Sequence, residues 1–580
     1  MTDTADDEGP RHAFEDSRRL TGPNRWFAST AVVLTPLSSA ATEASAHSAW
    51  ASRVRAMGST LGWPDPHPVV HRHASGAFLV FAAPDDTLLT ATEVNEWAWE
   101  QAAAERAFRE GFEEAHALPS PAVTFAQRAA AERSRPLERL KSAARERGVT
   151  MIEDDDALTL GAGHTGLTCP RAALPLPMDV PWPTLHAIPT ALVTGSNGKT
   201  TTVRLLAAMA RQAGHTAGLC STEGIVIGGV ATDSGDYSGP AGARAVLRDR
   251  RVTLAVLETA RGGIARRGLA VTHADVAVVT NISADHFGEY GIDSVADLAE
   301  LKLAVAHAVV ERGLLVLNAN DDVLLAAADR LPHASRGRRA LFAADADHPA
   351  LIMLRQHGGA TCGERAGRLV FDHGGAPHDL GAIHDLPLTF NGAATYNGMN
   401  LAAAALAAVV GLALPIEAVR TTLASFGLDP HDNPGRLERH HYRGATVLID
   451  YAHNPDGLAR LLAVARALPH KRLLLLLGQA GNRSDEAIAE LAHTAAAARP
   501  DLVVIKELHE MLRGRALGEV PALLRRTLLD AGLVEAQFQL RGDEIASSLL
   551  LLEAVRPGDV LVLPLHSAGG RSEIARRLGN

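Results

Sequence analysis

Hydrophobic positions fall into two sets of short, nearly continuous apolar runs, and their spacing predicts the architecture. The first set is Ala191–Val193, Thr253–Glu258, Asp275–Asn281 and Leu314–Asn318, with helical stretches such as the one carrying Leu205, Leu206 and Met209 between them. Runs that are apolar on both sides of the alternation imply strands covered on both faces, which is the signature of a parallel sheet with crossover helices. A second set begins near Gly435: Ala445–Asp450, Arg472–Gly478, Asp501–Lys506 and Val560–Leu565. Upstream, Thr30–Leu37 and Gly76–Ala83 predict strands, and Thr90–Glu114 and Ala122–Arg147 predict helices, with Trp97 and Trp99 as core aromatics. Pro170, Pro175, Pro177, Pro181, Pro183 and Pro189 interrupt both kinds of pattern and mark a linker. No fixed-period repeat is present.

One junction between strand and helix carries chemistry. Ala191-Leu-Val-Thr-Gly-Ser-Asn-Gly-Lys-Thr-Thr-Thr-Val203 runs from a buried strand through a glycine turn into a helix. Gly195 and Gly198 allow a tight turn, so that the backbone N–H groups of Ser196 and Asn197 and the helix N-terminus can converge on an anion. Lys199 adds a point charge suited to nucleotide phosphates, and the hydroxyls of Thr200 and Thr201 suit the accompanying Mg²⁺ and phosphate oxygens. Val193 stands where the longer phosphate-loop pattern has its first glycine, so the loop is the shorter G-x-x-G-K-T form. The alternative is a plain glycine turn with an incidental lysine. The expected fold class is therefore α/β: a central P-loop-type parallel-sheet domain over 190–430 and a Rossmann-like C-terminal domain over 431–580. A loose tail (1–25), a smaller mixed α+β domain (26–169) and the proline-rich linker (170–189) precede them.

Composition narrows the class. The chain has 580 residues, 47% hydrophobic and 21% charged, which is ordinary globular composition and too long for one core. A net charge of −10 argues against a nucleic-acid surface. Cys169, Cys220 and Cys362 lie far apart without C-x-x-C pairing, so neither a disulfide framework nor a zinc site is expected. The polar N-terminus and the lack of an apolar run of about eighteen residues predict a cytoplasmic protein without a membrane segment. The 26 histidines are scattered.

Polar residues at the carboxyl ends of parallel strands are candidates for a site, because ligands bind at that edge. Glu258 ends one strand as a candidate metal ligand, the alternative being a capping glutamate or one paired with Arg261. Asn281-Ile-Ser-Ala-Asp-His286 closes the next, with His286 as a second candidate ligand or a core histidine. Lys302 follows on a helix and by itself reads as a surface lysine. Tyr396-Asn-Gly-Met-Asn400 opens an alanine-rich helix, Gly435-Arg-Leu-Glu438 precedes the second strand set, and Ile449-Asp-Tyr-Ala-His-Asn-Pro455 places a carboxylate at a strand end.

Taken together and in this order, these motifs over residues 190–580 resemble the Mur ligase superfamily, the ATP-dependent amide-bond ligases of peptidoglycan, folylpolyglutamate and cyanophycin synthesis. Within it, Gly235-Asp-Tyr-Ser-Gly-Pro240, Leu257-Glu-Thr-Ala-Arg-Gly-Gly-Ile264, Thr280-Asn-Ile-Ser-Ala-Asp-His286 and Lys506-Glu-Leu-His-Glu-Met-Leu-Arg-Gly-Arg515 are similar to the C-terminal, Mur-like half of cyanophycin synthetases. The resemblance implies that a substrate carboxylate attacks the γ-phosphate of ATP, and that an amino-acid amine then displaces phosphate from the acyl phosphate to leave an amide. It implies catalytic roles for Lys199, His286, Lys302 and Arg436, with Mg²⁺ on Thr200 and Glu258 and a second Mg²⁺ on His286. It further implies adenine contacts at Asn397 and Asn400, ribose contacts at Asp450, and a Lys302 open to carbamylation. The implied partners are a small-molecule or short-peptide carboxylate acceptor and an amino acid, with neither nucleic acid nor membrane, and a homo-oligomer is allowed.

The sequence also departs from the family. Cyanophycin synthetases carry an ATP-grasp domain before the Mur-like half, whereas here Ala157-Leu-Thr-Leu-Gly-Ala-Gly163, similar to the segment that introduces that domain, leads directly to the linker. In Gly481-Asn-Arg-Ser-Asp485, Asn482 stands where an Asp is common. Rival readings are a folate-type or cell-wall-type ligase, separable by amino-acid preference, and a silent ATP-binding regulatory module.

Overall fold

The computed structural model describes residues 13–37, 44–109, 121–284, 287–335, 337–540 and 542–579. The chain divides into two compact units, one holding residues up to 195 with 214–317 and 321–339, the other holding 196–213, 318–320 and 340–580.

The first unit begins with an antiparallel sheet in the order Phe14–Leu20, Ala31–Pro36, Gly76–Ala82, Val69–His73. Helices Ala44–Thr60 and Leu88–Arg109 cover one face, where Trp50, Trp99, Leu79 and Phe81 are fully buried. Trp50 Nε1 donates to Asn95 Oδ1 at 2.8 Å, which satisfies both polar groups inside this core. Trp99 is core as expected, while Trp97 is partly buried with its ring edge-on to Phe125. Three expectations change here. Residues 13–25 are not a loose tail, since Phe14–Leu20 is the sheet's first strand; residues 1–12 lie outside the described residues. The helix expected over 122–147 is two helices, Ala122–Glu132 and Arg135–Glu146, divided where Pro136 cannot supply a helical N–H but suits a first turn. The proline-rich linker is packed rather than free: Val180 and Leu185 join Leu137, Leu140, Leu158 and Leu160 in a core beside the small sheet Met151–Glu153, Ala157–Leu160, Leu167–Pro170.

The rest of the first unit is the sheet the apolar runs predict. Its strand order is Val230–Ser234, Gly224–Ile227, Ala217–Ser221, Leu254–Glu258, Thr190–Thr194, Ala274–Val279, Val309–Asn318. The last five run parallel and the first two add an antiparallel edge. Thr190–Thr194 lies between Leu254–Glu258 and Ala274–Val279, so its carboxyl end is flanked by those of both neighbours.

In the second unit, helix Lys199–Gln212 packs on helices Thr395–Leu406 and Ile416–Ser425. Strands Arg338–Asp345, Thr361–Arg365, Arg368–His373 and Ala376–Ala382 lie in that order, the first pair parallel and the rest antiparallel. The C-terminal sheet runs Glu438–Tyr442, Ala445–Asp450, Val560–Pro564, Leu473–Leu477, Leu502–Ile505, Phe538–Leu540. Five of its strands are parallel, with cores on both faces, the doubly wound arrangement expected. Among the described residues, no helix is long and apolar enough to cross a membrane.

Candidate active site

In the first unit, Thr190–Thr194 delivers Gly195 to the carboxyl edge of the sheet. Gly195 has φ +144° and a Cβ there would run into the Thr280 hydroxyl, so only glycine fits this position. Glu258 ends the adjacent strand opposite Val193 and is 2% exposed, and the following Thr259 N–H donates to the Val193 carbonyl at 2.8 Å. Arg261, the sequence alternative for pairing Glu258, bonds Glu289 Oε2 at 2.5 Å. Lys302 ends helix Val295–Lys302 and is buried, its Nζ donating to the Gly195 carbonyl at 2.8 Å. The lysine that alone reads as a surface residue is therefore turned onto the loop. His286, the other expected ligand, lies outside the described residues, as does Asp285.

The second unit holds the continuation of the loop. Gly198, at φ +85°, sits at the N-cap of Lys199–Gln212, and a Cβ on it would overlap Asn400 Oδ1. Lys199 Nζ curls back to the Ser196 carbonyl at 3.0 Å. Thr200 Oγ1 accepts from Arg436 Nη2 at 3.3 Å, and Thr201 Oγ1 from Asn433 Nδ2 at 3.3 Å. Asn197 donates to Asp456 Oδ2 at 2.8 Å and accepts from Asn454 Nδ2 at 3.3 Å, while Asn454 caps the next helix through the Gly457 N–H at 2.7 Å. Arg436 also lies 4.5 Å above the Tyr451 ring centre. Asp450 accepts from the Leu437 N–H at 2.6 Å; burial pushes its carboxyl up, against the pull of Arg436 and that N–H. Asn397 and Asn400 are buried and bonded to each other at 3.0 Å, with Asn397 Nδ2 also on the Leu388 carbonyl at 2.9 Å.

Thus Thr280, Glu258 and Lys302 gather where the loop begins, and Arg436, Asn433, Asn454, Asp456 and Asn400 gather on its continuation. Asn433, Asn454 and Asp456 escape the sequence reading. Asn454 before Pro455 is a legible helix cap, but nothing local announces that it faces Asn197.

Comparison with known proteins gives the family. Residues 193–408 match the Mur ligase middle domain, and residues 435–563 match the Mur ligase glutamate ligase domain. The chain belongs to the Mur ligases. It is 35% identical over 403 residues to a cyanophycin synthetase of Synechocystis sp., covering 70% of this chain and 45% of that protein. It is 30% identical over 344 residues to a UDP-N-acetylmuramyl-tripeptide synthetase of Leifsonia xyli, covering 58% of this chain and 62% of that one. The chain thus spans less than half the length of that cyanophycin synthetase. Among solved structures, E. coli FolC in complex with DHPP and ADP aligns at a TM-score of 0.48 and 17% identity, over 67% of this chain and 88% of that one.

The groups present in this Mur ligase fit a magnesium nucleotide. The loop is closed to side chains at Gly195 and Gly198, and the hydroxyl and carboxylate oxygens of Thr200 and Glu258 are the hard donors Mg²⁺ takes. Among the described residues, no group of three or more His, Cys, Asp and Glu side chains converges as an all-protein cage. Mg²⁺ usually keeps waters and phosphate oxygens and needs no such cage.

Proposed function

We propose that this chain is an ATP-dependent ligase that joins a substrate carboxylate to an amino-acid amine through an acyl phosphate, in the manner of its cyanophycin-synthetase relatives. The observation that carries the reading is the loop itself: two glycines at positive φ, Lys199 folded over the turn, and Thr200 held by Arg436. A carboxylate oxygen attacks the γ-phosphorus, the bond to the β-phosphate oxygen breaks, and ADP leaves. The amine then attacks the acyl carbon, inorganic phosphate leaves with the bonding pair, and the amine loses a proton.

Both steps crowd negative charge, so the chain's work is to bind, orient and neutralise. Lys199 and Arg436 offer donors to phosphate oxygens from the second unit. Asp450 would accept from ribose hydroxyls, and the buried Asn400 shapes the Gly198 turn. In the first unit, Glu258 supplies a carboxylate that would take Mg²⁺, and Lys302 supports the Gly195 carbonyl or, if carbamylated, adds a second carboxylate; in the second unit, the Thr200 hydroxyl is a further donor Mg²⁺ would take. Bound Mg²⁺ would supply charge neutralisation at the phosphates.

The test is phosphate release by the purified full chain with Mg-ATP, each of the twenty amino acids and a panel of carboxylate acceptors, with mass spectrometry of products. An adduct equal to acceptor plus amino acid minus water supports the reading, and its amino acid separates a cyanophycin-type from a folate- or cell-wall-type ligase. Nucleotide binding without any product across the panel would favour a silent regulatory module.

A further inference from the structure

The N-terminal sheet packs on helix Arg261–Arg267, which follows Glu258, and on residues 287–302, the stretch that begins just after His286 and ends at Lys302. Arg18 of the sheet lies 5.6 Å over the Tyr290 ring, and further contacts hold the stretch. Gly291, at φ +61°, is pressed so closely on the sheet that a Cβ would lie 2.6 Å from Phe78 Cε2 and 3.0 Å from His73 Cδ2. The Ala74 N–H donates to the Asp293 carboxylate. Arg25, its side chain 3% exposed, donates from Nη2 to Asp297 Oδ1 at 2.7 Å and to Glu300 Oε2 at 2.9 Å, and from Nη1 to the Gly291 carbonyl at 3.5 Å.

Arg25 thus bonds the loop, the first turn and the second turn of Val295–Lys302 with one fork, a geometry that lysine cannot copy. An eight-residue helix has little stability of its own and takes its position from what it packs against. Ser294 caps it independently, accepting from the Asp297 N–H at 3.1 Å, so the helix can form without Arg25 but loses its anchor. At its far end, Lys302 Nζ meets the Gly195 carbonyl at 2.8 Å.

We infer that Arg25 is a positioning residue: through it the N-terminal sheet fixes helix Val295–Lys302, and so sets Lys302 against the loop carbonyl of Gly195. The N-terminal domain is then a brace for the reaction centre, beyond any part it has in holding acceptor. The inference rests on the ligase reading for its effect on turnover, but its structural half does not.

The experiment compares full-length wild type, Arg25→Ala, Arg25→Lys, Lys302→Ala and Lys199→Ala. Amide hydrogen exchange is read over 288–302 and over 199–212, Mg-ADP affinity by calorimetry, and phosphate release with the acceptor and amino acid that support wild-type turnover. In Arg25→Ala, exchange over 288–302 is expected to rise by about tenfold or more with 199–212 unchanged. Its turnover should fall by about ten- to a hundredfold, as for a small misplacement of a reacting group, with Mg-ADP affinity within about twofold of wild type. Arg25→Lys should fall between, and Lys302→Ala should lose turnover without the exchange change. Unchanged exchange over 288–302 in Arg25→Ala overturns the inference, as does wild-type turnover in Arg25→Ala beside an inactive Lys302→Ala. Wild-type turnover in Lys199→Ala would refute the ligase reading instead, and the exchange comparison would still decide the brace.

Discussion

Replacing Glu544 by glutamine tests the buried charge network of the C-terminal domain. Lys506 Nζ is fully buried and donates to Glu544 Oε2 at 2.6 Å, to the Pro564 carbonyl at 2.5 Å and to His566 Nδ1 at 3.1 Å. The His566 N–H donates to Glu544 at 2.8 Å, and Ser567 donates from N and Oγ at 2.9 and 2.7 Å. Burial pushes the Lys506 ammonium down while Glu544 pulls it up; with this many donors on its oxygens the carboxylate is firmly ionised, and it keeps the ammonium charged. Burial and the neighbouring ammonium keep His566 neutral, so that Nδ1 accepts and Nε2 donates to the Ala452 carbonyl at 3.1 Å. The Glu544 carboxyl ordinarily titrates near 4.5 and is held at about 2. At 1.36 kcal/mol per tenfold change, that is about 3 kcal/mol of stabilisation, within the range for breaking a buried pair.

Because the folded value lies below the unfolded one, this stabilisation is complete above about pH 4.5 and is lost as pH falls toward about 2. The chain has more than one domain, so a single melting temperature does not isolate the effect. The assay is amide exchange over strand Val560–Pro564 and helix Glu544–Ala554 in the full chain at neutral pH. Glu544→Gln should exchange about a hundredfold faster there, with the gap to wild type closing as pH falls below 4.5. Lys506→Met with Glu544→Leu, which removes both charges, should lie nearer wild type. A change below about fivefold, or a gap that widens in acid, would refute the reasoning.

Three further outcomes are expected. Lys199→Ala should lose phosphate release by about a hundredfold or more while amide exchange in the strands around the loop stays as in wild type, because its half-buried side chain reaches a loop carbonyl rather than the core; full activity would remove Lys199 from the site. Glu258→Gln keeps the buried volume but removes the charge, so turnover should drop by about a hundredfold and recover only in part at high Mg²⁺; wild-type kinetics would make Glu258 a structural strand end. Gly195→Ala forces a Cβ into the Thr280 hydroxyl at φ +144°, so a folded variant by near-ultraviolet circular dichroism should bind Mg-ADP at least about tenfold more weakly, and wild-type affinity would count against the loop geometry.

What was legible in the sequence was what local pattern controls. Leucine or valine runs such as Leu473–Leu477 could only be doubly covered strands, and a glycine turn between strand and helix carries its own conformational demand. Phe14–Leu20 was missed because its residues, FEDSRRL, read as solvated chain; only pairing with Ala31–Pro36 makes it a strand. Val180 and Leu185 were hidden among prolines, which bar regular hydrogen bonding but not burial. The polar strands from 361 to 382 have the same cause as Phe14–Leu20, with exposed, charged positions that break the alternation. The loop's partners Asn433, Asn454 and Asp456 lie more than two hundred residues away in sequence, a separation that no periodicity spans.

The departure at Asn482 can be read in the same physical terms. Arg515 anchors the loop around it, donating from Nε to the Gly481 carbonyl at 2.9 Å and from Nη2 to the Arg483 carbonyl at 2.7 Å. Its guanidinium is matched by Asp485 and Glu519, each at 2.7 Å. The backbone at Gly481 is fixed as well, since a Cβ there would collide with the Leu512 carbonyl. An amide at 482 in place of a carboxylate brings one negative charge fewer to this anchored loop. On the proposed ligase reading, that loss of charge would act on which amine the enzyme admits, because charge complementarity governs partner choice more than the fold of a site does.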